Sequence, residues 1–536
     1  MNARIGVNAP WYRQRRVRRG ARAQLVTASW LACVLAFASP AVADPGHWVD
    51  PEAEARNVLI MAETTGDTAG KLGTSYPGDL AAATLDYQSQ RLAAVRADPE
   101  RQPTPNSCTL VLTCPINPEH SITRWQAQGG LVEPVLFTSR SGATLSGHVW
   151  ATREGPERRP GVVFSNGSIA SYEQVHWSLA QALARAGYVV LTYDPQGEGM
   201  SDQFGAAPDQ LEDAFAGVPI LGFVGPQSVT GAALNGTHRP VGDGLGVGGN
   251  GLPFYDGQID ALDFFLSTPD QIYAPRPSRT TGTSHNAKQQ RRVAAGLDSA
   301  HNPLWQLLDP DRIGLAGHSY GAQAASWNGQ ADPRVSAIVA LDSLCVPGPP
   351  LDEEVAFTTA PVNNFLGAQL PSIYGFPQQC FGSPNEPPPA LSKPALHMTG
   401  DYLLLPEAPY LQQPVPENKS GASLAYSAAG VDTAAVILRG GNHFDYVDST
   451  GVLPTSLRGL DLVTWYTTVW FDKYLQHDPT ADTRLIDTPW RNDPATGTVD
   501  PSHDPNVYSY HYLSRLDITR GDGTRYRCED LRDGCR

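Results

Sequence analysis

From Val162 to about Gln476 the chain alternates short β-rich runs with helical ones, and this alternation narrows its fold more than any other feature. Strands are expected at Val162–Ser165, Tyr188–Tyr193, Ile313–Ala316, Ser336–Leu341, Ala395–Met398 and Ala434–Leu438. Between them lie helical stretches near Glu173–Ala186, Tyr255–Leu266, Tyr320–Gly329 and Gly459–Gln476. Strands separated by helices cannot pair through tight turns, so they are read as a mostly parallel, doubly wound α/β sheet covered on both faces. Two β-rich runs flanking Ser141-Gly142, within Pro134 to Glu154, precede this core as a hairpin.

The alternation is interrupted twice. Residues 203–253 are rich in Gly and Pro and read as a loop insertion, whereas 343–393 are Pro-rich, leave one strand end and return before the next strand. That second excursion is the candidate cap or lid. The boundaries expected are therefore a leader (1–43), an N-terminal arm (44–130) with a helix around Asp79–Arg96, a core domain (131–478), and a polar C-terminal tail (479–536) with a disulfide loop.

The leader is read from seven arginines between Arg4 and Arg22, followed by an apolar run from Leu25 to Ala38 and the small-x-small triplet Ala41-Val42-Ala43. This is the pattern of a secretory signal cleaved near Ala43, too short for a comfortable membrane span, so a secreted chain is expected. Arg18-Arg19 leaves twin-arginine and general export open.

The whole chain carries a formal charge of −15, and removing the basic leader makes the remainder more acidic still. That argues against nucleic acid and anionic membranes as partners. Of the seven cysteines, Cys33 lies in the leader and the others fall into close pairs: Cys108 with Cys114, Cys345 with Cys380, and Cys528 with Cys535. In an exported chain these read as local disulfides in preference to metal ligands, since no His-rich spacing accompanies them.

The chemistry-bearing stretch is "GLAGHSYGAQAA", Gly314 to Ala325, in which Gly317, Ser319 and Gly321 stand at G-x-S-x-G spacing between an expected strand and an expected helix. In that context the serine sits on a sharp turn, and glycines on either side keep its approach clear. The bland alternative is a serine that only caps the helix. Beyond the pentapeptide, "GYVVLTYDPQGEGMSD" (Gly187–Asp202), "DPDRIGLAGHSYG" and "WFDKYL" (Trp470–Leu475) resemble the α/β-hydrolase superfamily, especially its secreted, dienelactone-hydrolase-like and esterase-like branches. The likeness covers about Val132 to Gln476.

The resemblance implies a nucleophile, acid and histidine in that chain order. Ser319 is the expected nucleophile, and His443 in "LRGGNHFDY" follows the last strand where the family's histidine lies. Asp401 in "PALHMTGDYLLLP" is the first choice for the acid, with Asp342 at the end of "SAIVALD" as the alternative and Glu407 behind. The amides of Tyr320 and of Ser168, in "VVFSNGSIA", are expected to form the oxyanion hole, with Ile169 as second choice for Ser168. His318 is expected to pack beneath the turn.

Gly246, Gly248 and Gly251 match a dinucleotide-binding spacing but have neither a strand before nor a helix after them. His176, Trp177, Phe254, Tyr255, Phe264 and Phe265 are read mainly as packing residues. No cofactor or metal is expected. The implied activity is that of a serine hydrolase cleaving carboxylic esters of a small-molecule or lipid-like acyl substrate. An amidase or peptidase would use the same residues, and a non-catalytic binding module of the same fold is the alternative of a different class.

Overall fold

Gly142, at φ 86°, turns the chain from β1 (Gly130–Thr138) into β2 (Thr144–Thr152), and the two strands pair antiparallel along their whole length. The computed structural model describes residues 73, 75–98, 100–101, 114–167, 172–202, 205, 252–278, 282–342, 344–348, 380, 386–402, 416–448, 455–486 and 506–535. Most of the candidate cap, the 203–253 insertion, the leader and Cys108 lie outside these residues.

β3 (Arg159–Ser165), β4 (Val189–Asp194), β5 (Leu308–His318), β6 (Val335–Leu341), β7 (Ala395–Gly400) and β8 (Thr433–Leu438) pair parallel in the order β4-β3-β5-β6-β7-β8. β2 joins this block antiparallel to β4. The runs "VVLTYD" and "TAAVIL" are buried at every position, as strands covered on both faces must be. On one face Val162, Val190, Val339 and Val436 pack with Trp177, Leu183, Val469 and Trp470 from helices Trp177–Arg185 and Leu457–Phe471. On the other, Val163, Leu191, Leu315 and Ile338 meet Leu262 and Phe265 of helix Leu252–Phe265 and Ala325 of helix Tyr320–Ala331.

The chain runs from β3 outward to β4, then crosses back so that β5 lies on the opposite side of β3. The winding direction therefore reverses between β3 and β5, and in open α/β sheets the crevice outside the carboxyl ends of two such strands is where ligands bind. Ser165 of β3 pairs with Gly317 of β5 at that edge.

The segment after Asp478, read from the sequence as a polar tail, instead extends the sheet. β9 (Arg515–Thr519) pairs antiparallel with β8, and β10 (Arg525–Cys528) with β9. "RLDIT" and "RYRC" are too short and too charged to stand out as strands by pattern. The Cys528–Cys535 disulfide closes the loop beyond β10, and Cys345–Cys380 ties the start of the candidate cap to a point within it. The arm contributes helix Tyr76–Ala97, whose following residue Asp98 forms a buried ion pair with Arg292 at 2.7 Å, while Asp298 takes the Arg292 Nε at 2.8 Å. No helix among the described residues is long and apolar enough to cross a membrane.

Candidate active site

β5 ends at His318, and Ser319 follows at φ 56° and ψ −120° before the helix Tyr320–Ala331 begins. Only four non-glycine residues among those described have positive φ, and two of them, Ser319 and Asp342 (φ 62°), stand at neighbouring strand ends. Backbone strain of this kind costs on the order of 1–3 kcal/mol and persists where surrounding structure enforces it. The enforcement is visible: Ser319 N donates to Leu341 O at 2.9 Å, and the Ser319 carbonyl accepts from Ala322 N and Gln323 N to start the helix.

The flanking glycines are dictated by close backbone approach. A Cβ on Gly317 would lie 2.2 Å from Gly321 O, and one on Gly321 would lie 2.2 Å from Ser165 O and 2.5 Å from Asn166 O. A Cβ on Gly167 would come within 2.9 Å of the Ser319 Cβ. The loop leaving β3 is thus pressed directly against the serine turn. Asp194, at the end of β4, braces this loop by accepting from Asn166 Nδ2 (3.1 Å), Glu173 N (2.7 Å) and Met200 N (2.7 Å). Tyr320 opens the helix, whose N-terminal dipole end favours an anion. Ser168, Ile169 and Glu407 lie outside the described residues, as do Gly246, Gly248 and Gly251.

His443 Nδ1 donates to Asp342 Oδ2, and Thr399 Oγ1 donates to Asp342 Oδ1 at 2.5 Å. The Asp342 side chain is 4% exposed and that of His443 19%. Burial raises the Asp342 carboxyl pKa, but the charge and hydrogen bond of His443, together with Lys419 and Thr399, outweigh it and hold the group below its ordinary value. Asp342 is therefore a carboxylate at neutral pH.

Asp401, expected to orient His443, makes its described side-chain bonds elsewhere. Its Oδ2 accepts from Gly440 N at 2.7 Å and its Oδ1 from Ser509 Oγ. The reason lies in the strand order. His443 follows β8, so its loop must cross the end of β7 to approach β6 and β5, and it does so at Gly400, where a Cβ would lie 2.4 Å from the Gly441 carbonyl carbon. Asp401, next in the chain, catches the crossing loop at Gly440, and Tyr402 N donates to Gly441 O at 3.0 Å. Asp342 has the shorter reach because β6 is the immediate neighbour of β5. The sequence offered two aspartates at strand ends, both lying between Ser319 and His443, and chain order does not separate them.

His318 is buried, with its ring against that of His443. The contacts of His443 among the described residues are to Asp342, His318 and Phe444. A direct bond from Ser319 is not among them, and hydrogen bonds of this kind commonly tighten only with substrate in place. His176 and Trp177 are buried, as are Phe254, Tyr255, Phe264 and Phe265. Burial pushes His176 down to about 3, so it is neutral. Phe254 nonetheless borders the site, with its ring 5.5 Å from that of Tyr320. No cluster of three or more His, Cys, Asp or Glu among the described residues is arranged to hold a metal ion.

No protein-family model matches the chain, and no curated protein matches it. Among solved structures, a ferulic acid esterase from Streptomyces cinnamoneus is similar at 16% identity and a TM-score of 0.38, over 68% of this chain and 94% of that one.

Proposed function

We propose that this chain is a serine hydrolase of the α/β-hydrolase type, with Ser319 as nucleophile, His443 as general base and Asp342, in place of Asp401, as the acid that orients it. The observation that carries this reading is the Asp342–His443 pair held against a strained serine turn at the sheet's reversal point. A serine hydroxyl at its free pKa is a weak nucleophile and needs a base oriented by a third group. Asp342, a buried carboxylate, fixes the proton on His443 Nδ1 and leaves Nε2 to accept the proton of Ser319.

Attack of Ser319 Oγ on an acyl carbonyl forms a tetrahedral oxyanion, stabilised by the Tyr320 amide at the helix N-terminus and by a second amide from the loop after β3, for which Ser168 is our first choice. His443 then returns the proton to the leaving group, and water repeats the sequence to release the acyl group. Carboxylic esters of a small or lipid-like acyl group are the proposed substrates. The two described disulfides support export to an oxidising compartment.

Labelling by a fluorophosphonate probe tests the assignment. The wild-type protein should be labelled and should hydrolyse p-nitrophenyl esters, and Ser319→Ala should do neither. A folded wild-type protein that resists the probe and turns over no ester would move the chain to the non-catalytic binding modules; hydrolysis of anilides at comparable rates would move it to the amidases.

A further inference from the structure

His318 precedes Ser319 and is only 4% exposed. Its ring lies 4.5 Å from that of His443, centroid to centroid, with the two planes inclined at 39°. The rings of His176 and Tyr446 stand 5.6 Å and 5.8 Å away. His318 Nε2 is 3.0 Å from the backbone carbonyl oxygen of His443. A carbonyl only accepts, so Nε2 carries the proton and His318 is the donor.

This side chain therefore touches both the main chain and the ring of His443 while hanging from the strand that carries Ser319. The other restraints act from further away in the chain: Asp342, just after β6, accepts from His443 Nδ1, and Asp401 holds Gly440, three residues before His443. Burial, together with the neighbouring His443 and His176, holds the His318 imidazole well below its ordinary pKa. A neutral ring suits the place, because a fixed cation there would oppose the proton that His443 must accept.

Resting on the serine-hydrolase reading, we propose that His318 is a positioning residue that ties the general base to the nucleophile's own strand, through its Nε2–H bond to the His443 carbonyl and its ring contact with His443. The Ser319–His443 geometry is then set by a link of one covalent neighbour and one hydrogen bond, and the long loop from Gly440 to Tyr446 need not be rigid on its own.

The test compares wild type, His318→Leu, His318→Gln and His318→Asn for the rate of fluorophosphonate labelling and for kcat and KM on a p-nitrophenyl ester, with thermal melting run alongside. Misplacement of a catalytic group by about 1 Å costs on the order of 10²-fold. His318→Leu should lose kcat by about that factor with KM within about twofold, the pattern of a lost transition-state alignment. His318→Gln, whose amide nitrogen reaches the same carbonyl, should recover most of it. His318→Asn, one methylene shorter, should not, and this pair decides the matter if His318→Leu fails to fold. Wild-type kcat in His318→Leu, or equal impairment of His318→Gln and His318→Asn, overturns the proposal. Failure of the wild-type protein to label overturns the nucleophile assignment instead.

Discussion

Asp342→Asn changes one atom at the position that decides which carboxylate serves His443. The carboxylate accepts from His443 Nδ1 and from Thr399 Oγ1, whereas an amide offers one acceptor oxygen and one donating nitrogen. If the oxygen faces His443, the tautomer survives but the charge that stabilises the imidazolium is lost. For unit charges about 4 Å apart at an effective dielectric of about 20 this is worth about 4 kcal/mol, or roughly 10³ in rate. If the nitrogen faces His443, the ring proton moves to Nε2 and base function is lost, with a cost of about 10⁴ in kcat by analogy with other triads. The expected loss in kcat/KM on a p-nitrophenyl ester is therefore about 10³ to 10⁴. Asparagine tolerates the φ of 62° that this position requires, so the variant should fold. Stability gives a second readout. The folded-state pKa of Asp342 is depressed, so its contribution is present above the ordinary carboxylate range and lost as pH falls through the lower folded value. The gap in Tm between wild type and Asp342→Asn should then close in acid. Retention of more than about a tenth of wild-type kcat/KM, with a loss near 10³ in Asp401→Asn, would show that Asp401 is the acid and refute this reasoning.

Gly321→Ala puts a Cβ 2.2 Å from Ser165 O and 2.5 Å from Asn166 O, both main-chain atoms that must move, so kcat/KM should fall by about 10² or more; activity within twofold of wild type would show that the β3 loop can give way freely. Ser509→Ala removes a donor from buried Asp401 and should lower stability by about 1–3 kcal/mol in urea titration, with kcat on a p-nitrophenyl ester reduced far less than by Asp342→Asn. Asp98→Asn breaks the buried pair with Arg292, which keeps Asp298 as a partner, and should destabilise the fold by about 1–3 kcal/mol. The carboxyl pKa of Asp98 is raised by burial but brought below its ordinary value overall by Arg292, so this deficit too should vanish in acid; a deficit independent of pH would count against the ion pair as its source.

The central sheet was legible because its strands are buried on both faces and carry uninterrupted apolar runs. All six parallel strands stand where the pattern places them, with β5 extending back to Leu308 and on to His318 and β3 back to Arg159. The helix Tyr76–Ala97 was legible from composition, although among its described side chains only Tyr76, Thr84 and Gln88 are buried. Helix Asn286–Ala294 was not, because "NAKQQRRVA" has almost no apolar face and is held instead by buried Arg292 and Gln289. At the site, the G-x-S-x-G turn and the histidine after β8 could be read locally. Which aspartate pairs with His443 could not, since the choice between Asp342 and Asp401 depends on which strand lies beside β5, and strand order is a property of the whole sheet. Nor could the hydrogen bond of His318, whose acceptor is a carbonyl 125 residues away.

β8 has a neighbour on its outer side because residues 515–517 pair with Thr433–Ala435 and Tyr508 bridges Leu438, and Ser509 reaches Asp401. During synthesis β1 to β8 are all made before residue 506 appears. Until then β8 presents an open row of backbone donors and acceptors, a template on which a second chain could dock. The loop that carries His443 meanwhile lacks its outer brace. Chains shortened before residue 506 should therefore tend to associate edge to edge, and the emergence of residues 506–528 is the step that both covers the β8 edge and braces the loop carrying His443.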